Sequence, residues 1–242
     1  MREARRLPEH DDAIASLDPS TRQTLAALWR ERATTELGAG WGFSLLVVEL
    51  HALGAERAVL ALATQGAADE IRHAELCVKL AERYAGGPME PAPTEPVVLP
   101  SHPGADDRLR MQLHAAGLAI SETLAAAFLE RCCLAEAEAR EDASPTVLAV
   151  LRDHLSDDVA HARVGFAHLA SRAVSDEERA GVARFLPRLL HANLRHWRER
   201  IVELPVVPAH GYPAHDGLLA SVETAAREVL LPGFAHVGIT PP

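Results

Sequence analysis

Along most of the chain apolar residues recur every three or four positions, with charged and small residues between them. That is the period of helices with one buried face. Strict apolar–polar alternation is nearly absent, and Ala, Leu, Glu and Arg dominate, all good helix formers. Capping and breaking residues divide the pattern into five long helices and one shorter one. The first spans about 19–52, with Asp18 as N-cap, Pro19 in its first turn and Gly54 closing it. The second spans about 55–85 and stops at Gly86-Gly87. The third spans about 106–140. The fourth, about 145–173, has Ser144 as N-cap and Pro145 in its first turn. The fifth, about 176–204, opens with a Ser175–Glu178 capping box and carries Pro187, which is expected to kink it. The sixth, about 217–231, starts from Asp216 as cap.

Between the second and third helices lies GGPMEPAPTEPVVLPSHPGAD, rich in Pro and without helical periodicity. The other connections among the first four helices are tight. Tight, long, tight is the connection pattern of a four-helix bundle with one long crossover. A helix of about 30 residues is about 45 Å long, and about 20 extended residues can span it. A domain linker is the other reading of this segment. The crossover is preferred because neither hairpin alone buries its apolar face. The expectation is therefore an all-α chain in which residues 1–242 form a single domain. It consists of a four-helix bundle with an additional C-terminal helix or two.

The chain has 242 residues, 48% of them hydrophobic, which supports one sizeable core. Formal net charge is −10 and aromatics make up 4%, which argues against nucleic acid as a partner. No apolar run approaches the roughly 20 residues of a membrane span, so no membrane association is expected. MREARRLPEHDDAIAS has no apolar leader-like region. Three cysteines, Cys77, Cys132 and Cys133, make no disulfide framework. Together these point to a cytoplasmic protein. The unusual count is histidine, at 13.

Histidine matters through placement. The second helix carries Asp69-Glu70-Ile71-Arg72-His73 and the fourth carries Asp157-Asp158-Val159-Ala160-His161. In each, an acid and a His three apart share one helical face. Composition alone yields roughly two such pairs by chance, so their number proves nothing. Both, however, fall mid-helix, on the second and fourth helices, and each follows another Asp. Each also has a mid-helix Glu about one hairpin upstream, Glu36 before Glu70 and Glu122 before Asp158. Gly54 is nearly equidistant from Glu36 and Glu70, so these meet at one level. The second hairpin is less symmetric, and Glu130 is an alternative to Glu122. A bundle that binds two metal ions needs an acid-x-x-His on two helices and a carboxylate from each of the others. Buried without a cation, such a cluster would be costly. Oxygen-rich ligation with two His suits iron or manganese better than zinc.

On these motifs the chain resembles the ferritin-like di-iron carboxylate proteins. DEIRH is similar to the D-E-x-R-H motif of bacterial multicomponent monooxygenases and related di-iron oxygenases. ELHALGA, DEIRHAELC and SETLAAAF resemble a group of stand-alone bacterial ferritin-like domain proteins. The resemblance covers Glu36 to about Ala173. It implies Glu36, Glu70, His73, Glu122, Asp158 and His161 as ligands of two Fe ions, with Mn or mixed Mn/Fe as variants. Asp69, Asp157 and Arg72 would support them from outside. Asp158 departs from the usual Glu and reaches less far. His154, four residues before Asp158, is either an extra ligand, as in di-iron N-oxygenases, or a core histidine bonded to backbone. Cys77, four after His73, faces the site or is a small core residue. The only tyrosines are Tyr84 and Tyr212, so no stable tyrosyl radical is expected beside the metals. Gly38, Gly40 and Gly42 open space by the metals or allow close packing, with Trp41 and Phe43 lining that region or the core. Cys132, Cys133, His168, His191 and His196 read as packing or surface residues.

The function implied is an O2-activating di-iron oxygenase or hydroxylase. It would act on a small or carrier-bound organic substrate, with an external electron donor and a homodimer as possible partners. The alternatives are a ferroxidase, peroxide-scavenging or metal-binding protein without organic substrate, a tRNA hydroxylase, or a helical scaffold without metal.

Overall fold

The computed structural model describes residues 7–139 and 142–242. Among them there are helices, turns and one isolated antiparallel bridge, Val207–Tyr212, and no strand. Helix α1 spans Asp12–Ser16, α2 Pro19–Leu53, α3 Arg57–Ala85 and α4 Asp107–Glu138. Helix α5 spans Pro145–Ala170, α6 Asp176–Ile201, α7 His215–Ala225 and α8 Leu231–His236. The fold is all-α.

The caps act where the sequence places them. The Asp18 carboxylate accepts from the Ser20 and Thr21 N–H groups, and Ser144 from Val147; Asp106, expected as the first helical residue, instead caps α4 by accepting from Leu109. Ser175 and Glu178 complete a reciprocal capping box. Gly54 and Gly86 end α2 and α3 in the left-handed conformation, at φ 73° and 75°.

The ends differ by a few residues. The turn through Gly54 leaves Glu56 extended, so α3 begins at Arg57, two residues later than predicted. Ser171 is extended and stops α5 at Ala170. Predicted residue Arg140 lies outside the described residues. Helix α6 ends at Ile201 and continues through Pro187. The sixth predicted helix is corrected more substantially. It starts at His215, with Asp216 inside the first turn and no side-chain cap. Ala226–Leu230 then widens to a π turn before α8. Pro232 has no N–H to donate and crowds the carbonyl four residues earlier, which explains the widening. Helix α1 was not anticipated. Its N-cap Asp11 also accepts from Ser144 Oγ and the Thr146 N–H, tying α1 to the start of α5.

Helix α2 packs along α3 and α4 along α5, and the two hairpins meet through α3 against α5 and α2 against α4. A Cβ on Gly165 would lie 2.2 Å from the Ala115 carbonyl oxygen, so glycine is what lets α5 approach α4. The segment after α3 runs back along α2. Arg30 donates to the Glu90 carbonyl, Thr34 Oγ1 accepts from the Ala92 N–H, and His114 at the base of α4 bonds the Pro100 carbonyl. Helices α6 and α7 lie against α4. One apolar cluster gathers Trp29, Leu80, Leu113, Leu129 and Phe234, and a smaller one Phe43, Leu46, Leu50, Val59 and Val164. No helix among the described residues is long and apolar enough to cross a membrane.

Candidate metal centre

Glu70 and His73 on α3 face Asp158 and His161 on α5, all four buried. Glu122 on α4 is buried with them, and Glu36 on α2 keeps 14% of its side chain exposed. The organising residue is Glu70. Its Oε1 lies 3.0 Å from His161 Nδ1 and its Oε2 3.3 Å from His73 Nδ1, so one carboxylate faces both imidazoles. Asp158 Oδ1 and Glu122 Oε2 also approach His161 Nδ1, at 3.5 and 3.7 Å. Yet neither nitrogen of His161 makes a hydrogen bond of normal geometry among the described residues. Three carboxylates thus converge on a buried nitrogen that they do not bond.

Ligand atoms of Glu70, Glu122, Asp158 and His161 all lie within 4.8 Å of one another, and so do those of Glu36, Glu70 and His73. Four carboxylates and two neutral imidazoles balance the charge of two divalent cations. The donor set and the unbonded His161 both fit such an ion pair.

Carboxylates of the opposite helix flank the two imidazoles crosswise. Asp157 of α5 reaches His73 of α3, Oδ2 to Nε2 at 3.3 Å, and Asp69 of α3 reaches His161 of α5, Oδ2 to Nε2 at 3.6 Å. Each His therefore turns Nδ1 to the centre and Nε2 to a carboxylate on the opposite helix, the support that metal-bound histidines use. Arg72 joins this ring through Asp153 and Asp157 and lies 3.5 Å from Asp69. Gln65 donates to Asp69 at 2.8 Å. Asp153 was missed in the sequence reading. Its signal was its place four residues before Asp157, on the same face of the helix.

His154 has both features that were posed as alternatives. Its Nδ1 donates to the Val150 carbonyl at 2.8 Å, which leaves Nε2 with its lone pair. That nitrogen lies 3.9 Å from Glu36 Oε1 and 3.6 Å from Cys77 Sγ, and the ring stacks on His73 at 4.1 Å. Burial and the neighbouring His73 hold it well below the usual imidazole pKa, so it is neutral.

Burial and the nearby Glu70 charge push Glu36 up to about 8. Burial, with Glu70 and Asp158 close by, pushes Glu122 up to about 7. Burial also acts to raise Glu70, but the adjacent His161 and His73 overcome it and hold Glu70 below the usual carboxylate range. For His73 burial acts downward, and its bonds to Asp157 and Glu70 outweigh this and raise it to about 10.

No family model, curated protein or solved structure matches this chain. The assignment of a function therefore rests on the chain's own geometry.

The carboxylates of Glu36, Glu70, Glu122 and Asp158 form one wall of a cavity of about 260 Å³. Leu28, Ala39, Ala125 and Phe128 also line it, as do Asn193, His196, Trp197 and Arg200 of α6. These four stand at i, i+3, i+4 and i+7 on one helix face, a spacing visible in the sequence but not recognised there.

Other expected residues fall elsewhere. Glu130 is exposed and lines a separate, mostly apolar groove between α4, α5 and α7. Cys132 and Cys133 are buried in the larger core. His168 is buried and bonds Gln112, and His191 is exposed. Trp41 is 41% exposed and lines neither the centre nor the core, whereas Phe43 sets its ring edge against His161 at 5.1 Å. The reason is helical phase: the two residues are two apart, so they leave α2 on different sides. Gly40 serves close packing, since a Cβ there would lie 3.3 Å from that of Glu70, and Gly42 faces open space. Tyr212 is brought by the loop after α6 to the lining of the cavity that also holds Glu36.

Proposed function

We propose that this chain is an O2-activating non-haem di-iron oxygenase acting on a small organic substrate, built as a ferritin-like four-helix bundle with one long crossover. The bundle reading is supported by the α2/α3 and α4/α5 pairs and by the segment running from α3 along α2 to α4. The observation that carries the function is that a carboxylate–histidine cluster, with Glu70 facing both imidazoles, forms the wall of a cavity.

In this reading Glu36, Glu70 and His73, with His154 beside them, would hold one ion, and Glu70, Glu122, Asp158 and His161 would hold the other. When bound, two ferrous ions supply the electrons and open coordination positions that O2 reduction requires. The chain's own residues do the rest. Asp157 would orient His73, Asp69 would stand behind His161, and Arg72 ties Asp157 to Asp153. Helix α6 covers the centre and limits water, and Arg32 orients Glu36 through a 3.1 Å bond. A cavity of about 150 Å³ accommodates benzene, so 260 Å³ suits a single ring or short chain better than a long tethered one.

The test is O2 uptake by iron-loaded protein with a chemical reductant, across a panel of single-ring and short-chain compounds. The expected result is substrate-dependent uptake with one product oxygen derived from ¹⁸O2. Iron oxidation that proceeds to completion without substrate, with oxidised iron retained and no oxygenated product, would support a ferroxidase instead.

A further inference from the structure

Besides its four carboxylates, the cavity is lined by polar groups that the proposed metal chemistry does not use. Asn193, His196, Trp197 and Arg200 share one face of α6 and line the cavity, with the Trp197 ring 5.2 Å from Phe128. Asn193 spends its amide N–H on the Leu189 carbonyl, which leaves its oxygen uncommitted. The two arginines of the lining differ. Arg32 is engaged inside, bonded to Glu36 and stacked over Trp29 at 5.3 Å. Arg200 stands at the outer end, 41% exposed, and its ionic partner is Glu31 of α2 at 3.1 Å, itself 59% exposed. The pair bridges α6 and α2 at the cavity's outer end. A solvent-exposed pair of this kind is weak and screened by salt, so an incoming anion can displace Glu31 from Arg200 at little cost. Between the two polar ends the walls are apolar, with Leu28, Ala39, Ala125, Phe128 and Ile201. Such a lining, with a few polar groups at fixed places, sets a ligand's orientation.

We infer that the substrate is a small organic monoanion, with a ring-sized apolar body, whose carboxylate or equivalent head exchanges with Glu31 on Arg200. The body then fills the apolar middle, and the end remote from the charge meets the carboxylate wall. With its four carboxylates balanced by two divalent cations, that wall does not repel the anion, so the inference rests on the metal reading above. Arg200 is a guanidinium rather than an ammonium, which suits a two-pronged grip on a planar carboxylate. A neutral analogue of the same shape leaves Arg200 with Glu31 and gains nothing from it. A cationic one meets Arg200 with like charge. Arg200 is therefore the residue that selects the substrate by charge, and Glu31 is its competitor.

Titration calorimetry of benzoate and of its neutral isostere benzamide tests this, at low ionic strength, on protein whose metal content has been measured. Benzoate is expected to bind at least about tenfold more tightly than benzamide. Arg200→Gln is expected to remove that preference by weakening benzoate, with benzamide changed less than about twofold. Glu31→Gln is expected to tighten benzoate about two- to fivefold, because the competing carboxylate is gone. A merely structural role for the ion pair predicts loss in both variants, so opposite signs support the inference. Equal binding of the two probes, a preference that survives Arg200→Gln, or no benzoate binding at about 10 mM overturns it. Metal content separates the two proposals. A chain that holds two metals but shows no charge preference contradicts this inference alone. An Arg200-dependent preference in a chain that binds no metal contradicts the oxygenase and leaves Arg200 as an anion site whose ligand is not that enzyme's substrate.

Discussion

The Glu36 side and the Glu122 side of the buried cluster share Glu70 and otherwise differ. On the Glu122 side three carboxylates surround His161, whose nitrogens make no hydrogen bond among the described residues and whose ring meets Phe43 of the smaller apolar cluster edge-on. On the Glu36 side the groups are already engaged. Glu36 is bonded by Arg32, and His73 has Glu70 at one nitrogen and Asp157 at the other. A second imidazole, His154, and the Cys77 sulfur stand close by. The cause lies in two residues. Asp158 is one methylene shorter than Glu, and it groups with His161 and not with Glu36. His154, one turn earlier on α5, brings a nitrogen to the Glu36 side instead. One side is thus richer in oxygen, and the other is richer in nitrogen with its groups already engaged. Two metals bound here would be held unequally.

The comparison can be broken first at its shared member. Glu70→Ala is expected to abolish loading at both positions, as read by metal analysis, because each loses a carboxylate that faces its imidazole. Next, His161→Ala is expected to leave about one metal per chain, held on the Glu36 side. A uniform fall at both positions would show that the two sides are not separate. His154→Ala acts on the other side only and is expected to weaken the second metal by about tenfold, within the range for perturbed metal sites. Full retention of both metals would leave His154 as a core histidine bonded to Val150. Asp158→Glu makes the sides more alike. It is expected to leave the fold intact, at a cost of about 1 kcal/mol for the added methylene, and to change the absorbance response to O2.

The smallest effect lies outside the centre. His168 donates Nε2 to Gln112 and has an unpartnered, buried Nδ1. Burial lowers its pKa to about 4. An imidazole whose folded pKa is depressed contributes stability that is present above its unfolded pKa of about 6.5 and is lost as pH falls toward the folded value. Thermal stability is therefore expected to fall between about pH 6.5 and 4, by at most on the order of 3 kcal/mol from this group. His168→Gln, which can still donate to Gln112, is expected to flatten that slope in thermal melts read across the range.

What the sequence made legible was local. Asp18, Gly54, Ser144 and the Ser175–Glu178 box set helix ends because capping is decided within a few residues. Glu70 with His73 and Asp158 with His161 were legible because a spacing of three fixes a shared face. The features that were not legible depend on which helix lies opposite. Asp69 turns to His161 and Asp157 to His73, a crossing that spacing on one helix does not contain. The choice between Glu122 and Glu130 was open because hairpin symmetry is a poor guide to level when turns differ. In the structure Glu122 faces the cluster and Glu130 the solvent. Tyr212 reaches the cavity through an irregular loop, and irregular loops carry no period. The polar face of α6 was present as Asn193, His196, Trp197 and Arg200, but it gained meaning only when α6 covered the carboxylate wall.

The central claim is that this carboxylate–histidine cluster holds two metal ions around Glu70. Metal stoichiometry after anaerobic loading with ferrous iron tests it most directly, with Glu70→Ala measured in parallel. The account predicts about two tightly held irons per wild-type chain, an absorbance change on admitting O2, and neither in the variant. No stable transition metal or a lone zinc in the wild type, or two irons in Glu70→Ala, would contradict it.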